Sequence, residues 1–446
     1  MDNRKTEEEI KKLEEAQKPG KLSLDLHKFY KGKIEIIPKC KIENFDDFSI
    51  WYTPGVAEIC KEIVKDKEKV YDYTNKGNTV AIVSDGTRVL GLGNIGAEGA
   101  LPVMEGKAIL FKYLGGVDAF PIVLNTKDEE EIIKTIKILS PSFGGINLED
   151  IEKPKCFSIL ERLRKELDIP VWHDDQQGTA TVTLAGLINS LKIVKKDKEN
   201  VKIALIGAGA ANTAIFRLLT KYGIQAGNII VVDSKGILNK ERYDLMKYEE
   251  KWKICLTSNK ENRKGGIEDA LKDVDVCIAL SKQGPGTIKK EWIKNMNEDA
   301  IVFACANPIP EIWPWEAKEA NAKIVATGRS DFPNQINNSL CFPGMFRGVL
   351  DVNAKTITDE MCIAAAESIA EFAEKKGIHE DYIIPRMDEE DVFIEVAVNV
   401  GLKAIEQKIA RKILEKNELH KLAREKIKRA KDEMKILMEK GIIKKL

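Results

Sequence analysis

The sequence predicts an α/β protein built from two parallel sheets. Short apolar strands alternate with helical stretches over residues 79–174, and the same alternation resumes over residues 201–327. A long apolar helix and a charged linker, over residues 178–200, separate the two series. Strands that alternate with helices favour parallel sheets, and sites in such sheets form at the carboxyl ends of the strands.

Composition narrows the class of protein. The 446 residues suffice for two or three domains, and 71 basic side chains balance 71 acidic ones, so no overall field favours nucleic acid. The eight cysteines form no C-x-x-C pair, which indicates reduced thiols, and the four histidines lack the spacing of a zinc site. No apolar run approaches membrane length, so we expect a cytoplasmic protein with no membrane and no nucleic-acid partner.

Two strands of the first series end in paired carboxylates. Glu149 and Asp150 follow one strand, and Asp174 and Asp175 follow the next. Neighbouring parallel strands would bring all four to one rim, where a divalent cation would relieve their repulsion. An all-oxygen set suits Mg²⁺ or Mn²⁺. Each pair taken alone is also typical of a helix N-cap with an acidic first turn.

The loop after the first strand contains a literal G-x-G-x-x-G, at residues 91–96. A dinucleotide fingerprint needs its first glycine directly at the strand end, whereas this strand ends at Asp85, six residues before Gly91. The next strand closes on Asn125 instead of an acid. We therefore interpret the loop as part of a substrate site, with Arg88 a candidate for bidentate binding of a carboxylate.

The second series contains a better fingerprint. Its first strand runs directly into Gly207-Ala208-Gly209-Ala210-Ala211-Asn212, an apolar helix follows, and the next strand closes on Asp233, 26 residues after Gly207. Backbone N–H groups at such a helix start bind a pyrophosphate, and the acid binds a ribose hydroxyl. Asp233 would repel a 2′-phosphate, yet Ser234 and Lys235 could bind one. NAD and NADP both stay open.

Several polar residues are candidates for the site, although the position of each also has an ordinary structural explanation. Tyr52 precedes a Pro-Gly turn and Lys107 lies among apolar neighbours in a helix, positions where a half-buried tyrosine and a solvent-reaching lysine are ordinary. Asn307, Asn337 and Asn338 follow late strands, where they could orient nicotinamide or substrate or simply form turns. After Thr358 the sequence is helical, and its last 26 residues form a basic amphipathic helix suited to docking on its own domain or on another subunit.

Together these motifs resemble malic enzymes of the short bacterial type. The resemblance runs from about Gly32 to about Ala373 and leaves out the charged first twenty residues and the basic tail. The motifs that carry it are Tyr52–Ala57, Thr87–Gly93, Glu105–Lys107, Leu148–Asp150, His173–Ala180, Gly207–Ala211, Asn307–Pro308, Gly328–Gln335 and Phe346–Gly348.

The resemblance implies a role for each candidate. Glu149, Asp150 and Asp175 would bind the metal, with Asp174 supporting them. Lys107 would be the general base and Tyr52 the general acid. The substrate residues would be Arg88, Asn307 and Asn338. The cofactor residues would be Gly207, Ala208, Gly209, Ala210, Ala211, Asp233, Lys235, Asn307 and Asn337.

The expected activity is the metal-dependent oxidative decarboxylation of L-malate to pyruvate and CO₂ with reduction of NAD or NADP. A malolactic enzyme that retains NAD, and a catalytically silent nucleotide-binding scaffold, are the alternatives. We expect a charged arm over residues 1–20, a catalytic domain over 21–177, a Rossmann-type domain over 178–400 and a helical tail over 401–446. The site would lie in the cleft between the domains of a homodimer or higher homo-oligomer.

Overall fold

The computed structural model describes Gly20 and residues 22–445. The predicted charged arm therefore lies almost wholly outside the described residues. The strands are β1 Thr79–Ser84, β2 Asp118–Val123, β3 Gly145–Leu148, β4 Val171–His173, β5 Ile203–Ile206, β6 Ile229–Asp233, β7 Gly236–Ile237, β8 Val276–Ala279, β9 Ile301–Ala304 and β10 Ile324–Thr327.

The α-helices surround two sheets. They are α1 over 22–30, α2 Asp47–Trp51, α3 Val56–Lys65, α4 Val70–Tyr73, α5 Gly96–Gly115, α6 Glu129–Leu139, α7 Lys155–Glu166, α8 Thr179–Val194, α9 Ala210–Tyr222, α10 Glu249–Thr257, α11 Ile267–Leu271, α12 Lys290–Ile293, α13 Pro314–Glu319, α14 Phe342–Asp351, α15 Asp359–Lys376, α16 Asp391–Glu406 and α17 Lys416–Glu439. None of the helices described is long and apolar enough to cross a membrane.

Both sheets have the predicted parallel architecture. The first has the order β2-β1-β3-β4, with every pair parallel. The second has the order β10-β9-β8-β5-β6-β7, and only the short β6–β7 pair is antiparallel. Since β8 and β6 lie on opposite sides of β5, the chain winds outward in both directions from β5. This doubly wound order creates the crevice in which such sheets bind ligands.

Helix α8 joins the two sheets through a common core. Nearly all of its side chains are buried, which is expected for a helix that is apolar on every side. One continuous hydrophobic cluster includes Val80 of the first sheet, Leu187 of α8 and Leu205 of the second sheet. The strand β4 leads into α8 through a π-turn at Asp174–Gly178, so the residues of this turn are held by the core on both sides.

From its sequence, the stretch at residues 32–40 could be a short strand, but it forms none in the structure. This segment is extended but has no strand partner among the described residues, and a lone strand leaves its backbone groups without a ladder. It lies along α5 instead, where the Lys33 ammonium donates to the carbonyl of Pro102 at 2.9 Å. The prediction was wrong because β propensity alone does not supply a partner.

The C-terminal helix α17 packs on its own chain, one of the two arrangements that its pattern predicted. Ala423 and Ile427 are buried in the main core, and Lys112 of α5 pairs with Glu433 at 3.3 Å. Beneath α17, the fully buried Arg347 pairs with Asp351 at 2.8 Å. The tail therefore braces α5 and α14 from outside.

We predict that Ile427→Ala lowers the free energy of unfolding by about 2–4 kcal/mol, as truncation of a buried isoleucine usually does. Ile436→Ala, on the same helix but at a side chain that is 53% exposed, should change it by less than about 0.5 kcal/mol. Urea denaturation of both variants checks this. Equal effects of the two substitutions would show that α17 does not belong to the folded core.

Candidate active site

The topology brings the paired carboxylates together. Strands β3 and β4 are neighbours, and Leu148 pairs with His173 in register, so Glu149 and Asp174 follow at the same edge of the sheet. The backbone N–H of Asp150, a residue with a φ of 54°, donates to Asp175 Oδ2 at 2.9 Å. None of these four carboxylates is the N-cap residue of a helix, although Asp174 and Asp175 do lie in the first turn of the π-helix that leads into α8.

Lys107 reaches this cluster from helix α5. Its ammonium donates to Glu149 Oε2 at 2.6 Å and also to Asp174 Oδ2, and it lies 4.5 Å from the centre of the Phe342 ring. The side chain is only 8% exposed, so it does not extend to solvent. The cluster thus consists of one buried cation and several carboxylates.

Burial and mutual repulsion control the protonation of the carboxylates. Burial, followed by the charge of Asp175, raises the pKa of Asp150 to about 8 and that of Glu149 well above its usual range. Burial disfavours the charge of Lys107, but Asp174 and Glu149 outweigh it and raise the pKa of this lysine. One lysine cannot neutralise four carboxylates, so Glu149 and Asp150 tend to keep their protons unless a further cation takes the place of those protons.

The donor set fits a divalent cation. Carboxylate oxygens of Glu149, Asp150 and Asp175 lie within 4.8 Å of one another. Asp150 Oδ2 is buried and has no hydrogen-bond partner among the described residues. A buried oxygen of this kind is costly unless a ligand satisfies it. Oxygen donors alone suit Mg²⁺ or Mn²⁺.

Two positioning residues were not identified from the sequence. The Trp172 indole donates to Asp174 Oδ1 at 2.9 Å, and the Asn147 amide donates to Glu149 Oε2 at 3.0 Å. Both side chains are fully buried on the strands that carry the acids. Each of these residues lies two positions before an acid that follows a strand, and this spacing could have identified them from the sequence.

The structure brings two of the expected substrate residues, Arg88 and Asn338, to this site but shows no contact between it and Tyr52, the expected general acid. The exposed Arg88 is tied to the cluster because its backbone N–H donates to the carbonyl of Asp150 at 2.9 Å. Asn338 lies against Gly178, at the end of the π-turn. Tyr52 is 73% exposed, and its hydroxyl forms no hydrogen bond with any described residue. In the described part of the chain, no hydrogen bond or ring contact joins Tyr52 to Lys107.

The glycine-rich loop after β5 makes the tight turn that its glycines allow. Gly207 has a φ of +104°, and a Cβ there would lie 2.5 Å from the carbonyl oxygen of Leu280. Gly209 has open space above it, next to the N-terminus of α9. Asn212, at the place of the third glycine, donates to the carbonyls of Ile206 and Gly207 at 2.9 and 2.8 Å. It stabilises the turn that the loop makes.

The contacts of Asp233, the acid expected to bind a ribose hydroxyl, differ from those that the motif indicates. Asp233 accepts from Arg242 at 3.1 Å on both oxygens and from the Lys251 ammonium at 3.2 Å. Lys235 is 72% exposed and pairs with Asp244 instead. Arg242 and Lys251 lie nine and 18 residues beyond Asp233, too far along the chain for the motif to indicate them.

The late strand ends also meet at the cleft. Asn307 lies against Gly328, and the Asn337 amide donates to the carbonyl of Gly328 at 3.4 Å. The buried Glu311, not identified from the sequence, accepts from the backbone N–H groups of Ser281 at 2.8 Å and Ala306 at 3.0 Å. It holds together the ends of β8 and β9.

A lysine–carboxylate cluster on one parallel sheet, beside a doubly wound sheet with a phosphate-binding loop, defines the class of two-domain, dinucleotide-dependent oxidoreductases. Residues 31–164 match the family described as malic enzyme, N-terminal domain, and residues 176–405 match malic enzyme, NAD binding domain. The chain belongs to the malic enzyme family.

Named relatives agree with this assignment. The chain is 51% identical over 389 residues to the bifunctional malic/malolactic enzyme of Bacillus subtilis, covering 87% of this chain and 94% of that protein. It is also 51% identical to the NAD-dependent malic enzyme of Geobacillus stearothermophilus, over 85% of this chain and 78% of the relative. The crystal structure of Entamoeba histolytica malic enzyme superimposes with a TM-score of 0.94 at 48% identity, covering 97% of this chain and 91% of that chain.

We predict that Gly178→Ala disturbs the cluster, because the added Cβ would lie 2.0 Å from Asp174 Oδ1. Asp174 must then move and lose its bond to Trp172, at a cost of about 1–3 kcal/mol in the free energy of unfolding. Gly106→Ala is the matched control, next to Lys107 but with nothing within 4 Å of the new Cβ. It should leave stability unchanged or raise it by up to about 1 kcal/mol. Urea unfolding followed by tryptophan fluorescence would measure both variants. If Gly178→Ala left the free energy of unfolding unchanged, the expected clash with Asp174 would be contradicted.

Proposed function

We propose that this chain catalyses the oxidative decarboxylation of L-malate to pyruvate and CO₂, with NAD or NADP as hydride acceptor. The observation that carries the proposal is the buried contact of Lys107 with Glu149 and Asp174, beside the oxygens of Asp150 and Asp175. This combination offers a base, a metal-binding edge and a carboxylate-binding arginine at one strand edge. The glycine-rich loop after β5 in the second sheet supplies the binding site of the dinucleotide that accepts the hydride.

Glu149, Asp150 and Asp175 would hold Mg²⁺ or Mn²⁺. When bound, such an ion acts as a Lewis acid toward the oxygens of the substrate and offsets the carboxylate charge that keeps Lys107 protonated. Arg88, exposed at the rim, binds a malate carboxylate. Asn338, beside Gly178, orients the substrate.

Lys107 would take the proton of the malate C2 hydroxyl, while a bound nicotinamide would supply the acceptor for the hydride of C2. Lys107 must be neutral to accept this proton, and Asp174, in direct contact with it, can hold the proton that it gives up. Trp172 keeps Asp174 in place through its indole N–H. After CO₂ leaves, C3 needs a proton, and the Tyr52 hydroxyl donates it.

We assign the Tyr52 step to a second copy of the chain. The N-terminal segment that carries Tyr52 exposes a row of large apolar side chains, among them Ile36 at 80%, Phe45 at 90% and Val64 at 82%. Helix α3 has no buried residue at all. Exposed apolar patches of this kind mark interfaces. A homodimer that buries this segment would place Tyr52 of one subunit at Lys107 of the other.

The first test is a malate assay. Enzyme treated with EDTA should lose malate oxidation with either dinucleotide and regain it with Mn²⁺ or Mg²⁺. Lys107→Ala should lower the rate by about 10²–10⁴, the usual contribution of a positioned base. Lys112→Ala, on the same helix but 40% exposed, is the control and should stay active. Full turnover by the EDTA-treated enzyme would rule the proposal out.

The second test asks which subunit supplies Tyr52. Tyr52→Phe and Lys107→Ala should each be inactive, but mixing them by refolding should restore about a quarter of the normal activity, because half of the dimers are mixed and each holds one complete site. No recovery in verified mixed dimers would place Tyr52 in its own subunit's site or outside the chemistry.

A malolactic activity is the second candidate, favoured by the bifunctional name of the B. subtilis relative. The two reactions differ in what leaves the enzyme. Free NADH or NADPH that accumulates in step with malate loss indicates the oxidative reaction, whereas lactate formed without free reduced cofactor indicates the malolactic one.

A further inference from the structure

The loop after β1, residues 86–96, contacts the half of the chain that carries the second sheet. We call it the substrate loop, since it contains Arg88. A Cβ added at Gly91 would overlap Nε2 of Gln283 and lie 2.8 Å from its Cδ, and its three nearest neighbours are all atoms of that side chain. Gly91 has no positive φ, so its backbone conformation does not require glycine. Glycine at this position instead lets the Gln283 side chain lie directly against the loop.

Gln283 lies on a segment that the second sheet holds firmly. This segment begins at Ser281, whose backbone N–H and hydroxyl both donate to the buried carboxylate of Glu311, at 2.8 and 3.2 Å. It also packs on the glycine-rich loop after β5, since a Cβ at Gly207 would lie 3.3 Å from Cα of Ser281. The half of the chain that holds the proposed cofactor cleft therefore fixes the backbone that presents Gln283.

The tip of the substrate loop buries little surface of its own. Leu90 and Leu92, on either side of Gly91, are 59% and 70% exposed. Leu90 also has a φ of 47°, which is uncommon for a leucine. The guanidinium of Arg88 donates to the carbonyl of Leu90 at 2.9 Å. A shift of the tip therefore moves the group that holds the Arg88 side chain.

We infer that Gln283 is a positioning residue for malate, which holds the tip of the substrate loop, and through it Arg88, from the other half of the chain. The Gln283 amide forms no hydrogen bond with any described residue, so its contact with Gly91 is a packing contact. The inference rests on the malate-oxidising function proposed above. A contact that keeps Arg88 in place before malate arrives lowers the entropy that binding must give up.

Two variants break this contact from opposite sides. Gln283→Ala removes the side chain, and Gly91→Ala places a Cβ in the space that the flexible end of Gln283 fills. Calorimetry would measure binding of L-malate to the full chain with Mg²⁺ and without dinucleotide, so that no turnover occurs. Each variant should bind malate about three- to tenfold more weakly, the usual cost of ordering one further group. The double variant should be no weaker than either single one, because both changes remove the same contact.

Lys282→Ala is the matched control. This lysine is the exposed neighbour of Gln283, and its side chain has no hydrogen bond or ion pair with any described residue. Because water and salt screen an exposed charge, its removal should change malate affinity by less than about twofold. Binding of NADH should also stay within about twofold in all the variants, because Gln283 acts on the substrate loop. A merely structural role in the second sheet would weaken NADH binding instead.

Hydrogen exchange tests the contact without malate. Backbone amides of residues 88–93 should exchange about threefold faster or more in both single variants than in the unmodified chain, because the tip opens more often. Unchanged malate affinity in either variant, a loss matched by Lys282→Ala, or losses that add in the double variant would overturn the inference. An unmodified chain that bound no malate would contradict the proposed function, and the exchange rates would still show whether Gln283 holds the loop.

Discussion

The site depends on the burial of negative charge at the carboxyl edge of β3 and β4. Carboxylates away from water repel one another, and each needs a donor or a cation. The chain supplies Lys107, the Trp172 indole and the backbone N–H of Asp150, and it still leaves Asp150 Oδ2 without a partner. The remaining deficit of positive charge supports the proposal that this edge binds a cation, and the tight packing of α8 and α14 around it keeps the carboxylates from separating.

The need to hold these buried carboxylates in place also explains how the chain folds around this edge of the sheet. The π-turn at Asp174–Gly178 allows Asp174 to point at Lys107 while α8 begins immediately afterwards. Gly178 leaves the space that Asp174 occupies. Helix α17, packed outside α5, helps to hold the backbone that presents Lys107. Residues that do not react thus help to fix the distances from the Lys107 ammonium to the carboxylates of Glu149 and Asp174.

Much of this could be predicted from the sequence, because strand-end acids and a glycine loop are local signals. The alternation predicts that β3 and β4 are parallel. Glu149 and Asp174 meet because these two strands are also neighbours, which alternation alone does not fix, since β1 separates the consecutive strands β2 and β3. The wrong strand at residues 32–40 and the missed Glu311 have a common cause, since both depend on partners distant in the chain. Lys235 illustrates the limit: it follows Asp233 directly, but the β6–β7 hairpin leaves its side chain 72% exposed, beside Asp244.

The two halves of the site are physically connected by one short segment. Residues 149–153 contribute Glu149 and Asp150 to the carboxylate cluster and Lys153 to the phosphate loop, over a span of five residues. A movement of this segment would therefore shift the proposed cation site and the proposed cofactor cleft together. Hydride transfer needs C2 of the substrate and the nicotinamide at a fixed separation. Because residues 149–153 contact both the proposed substrate site and the proposed cofactor site, this segment can set that separation directly.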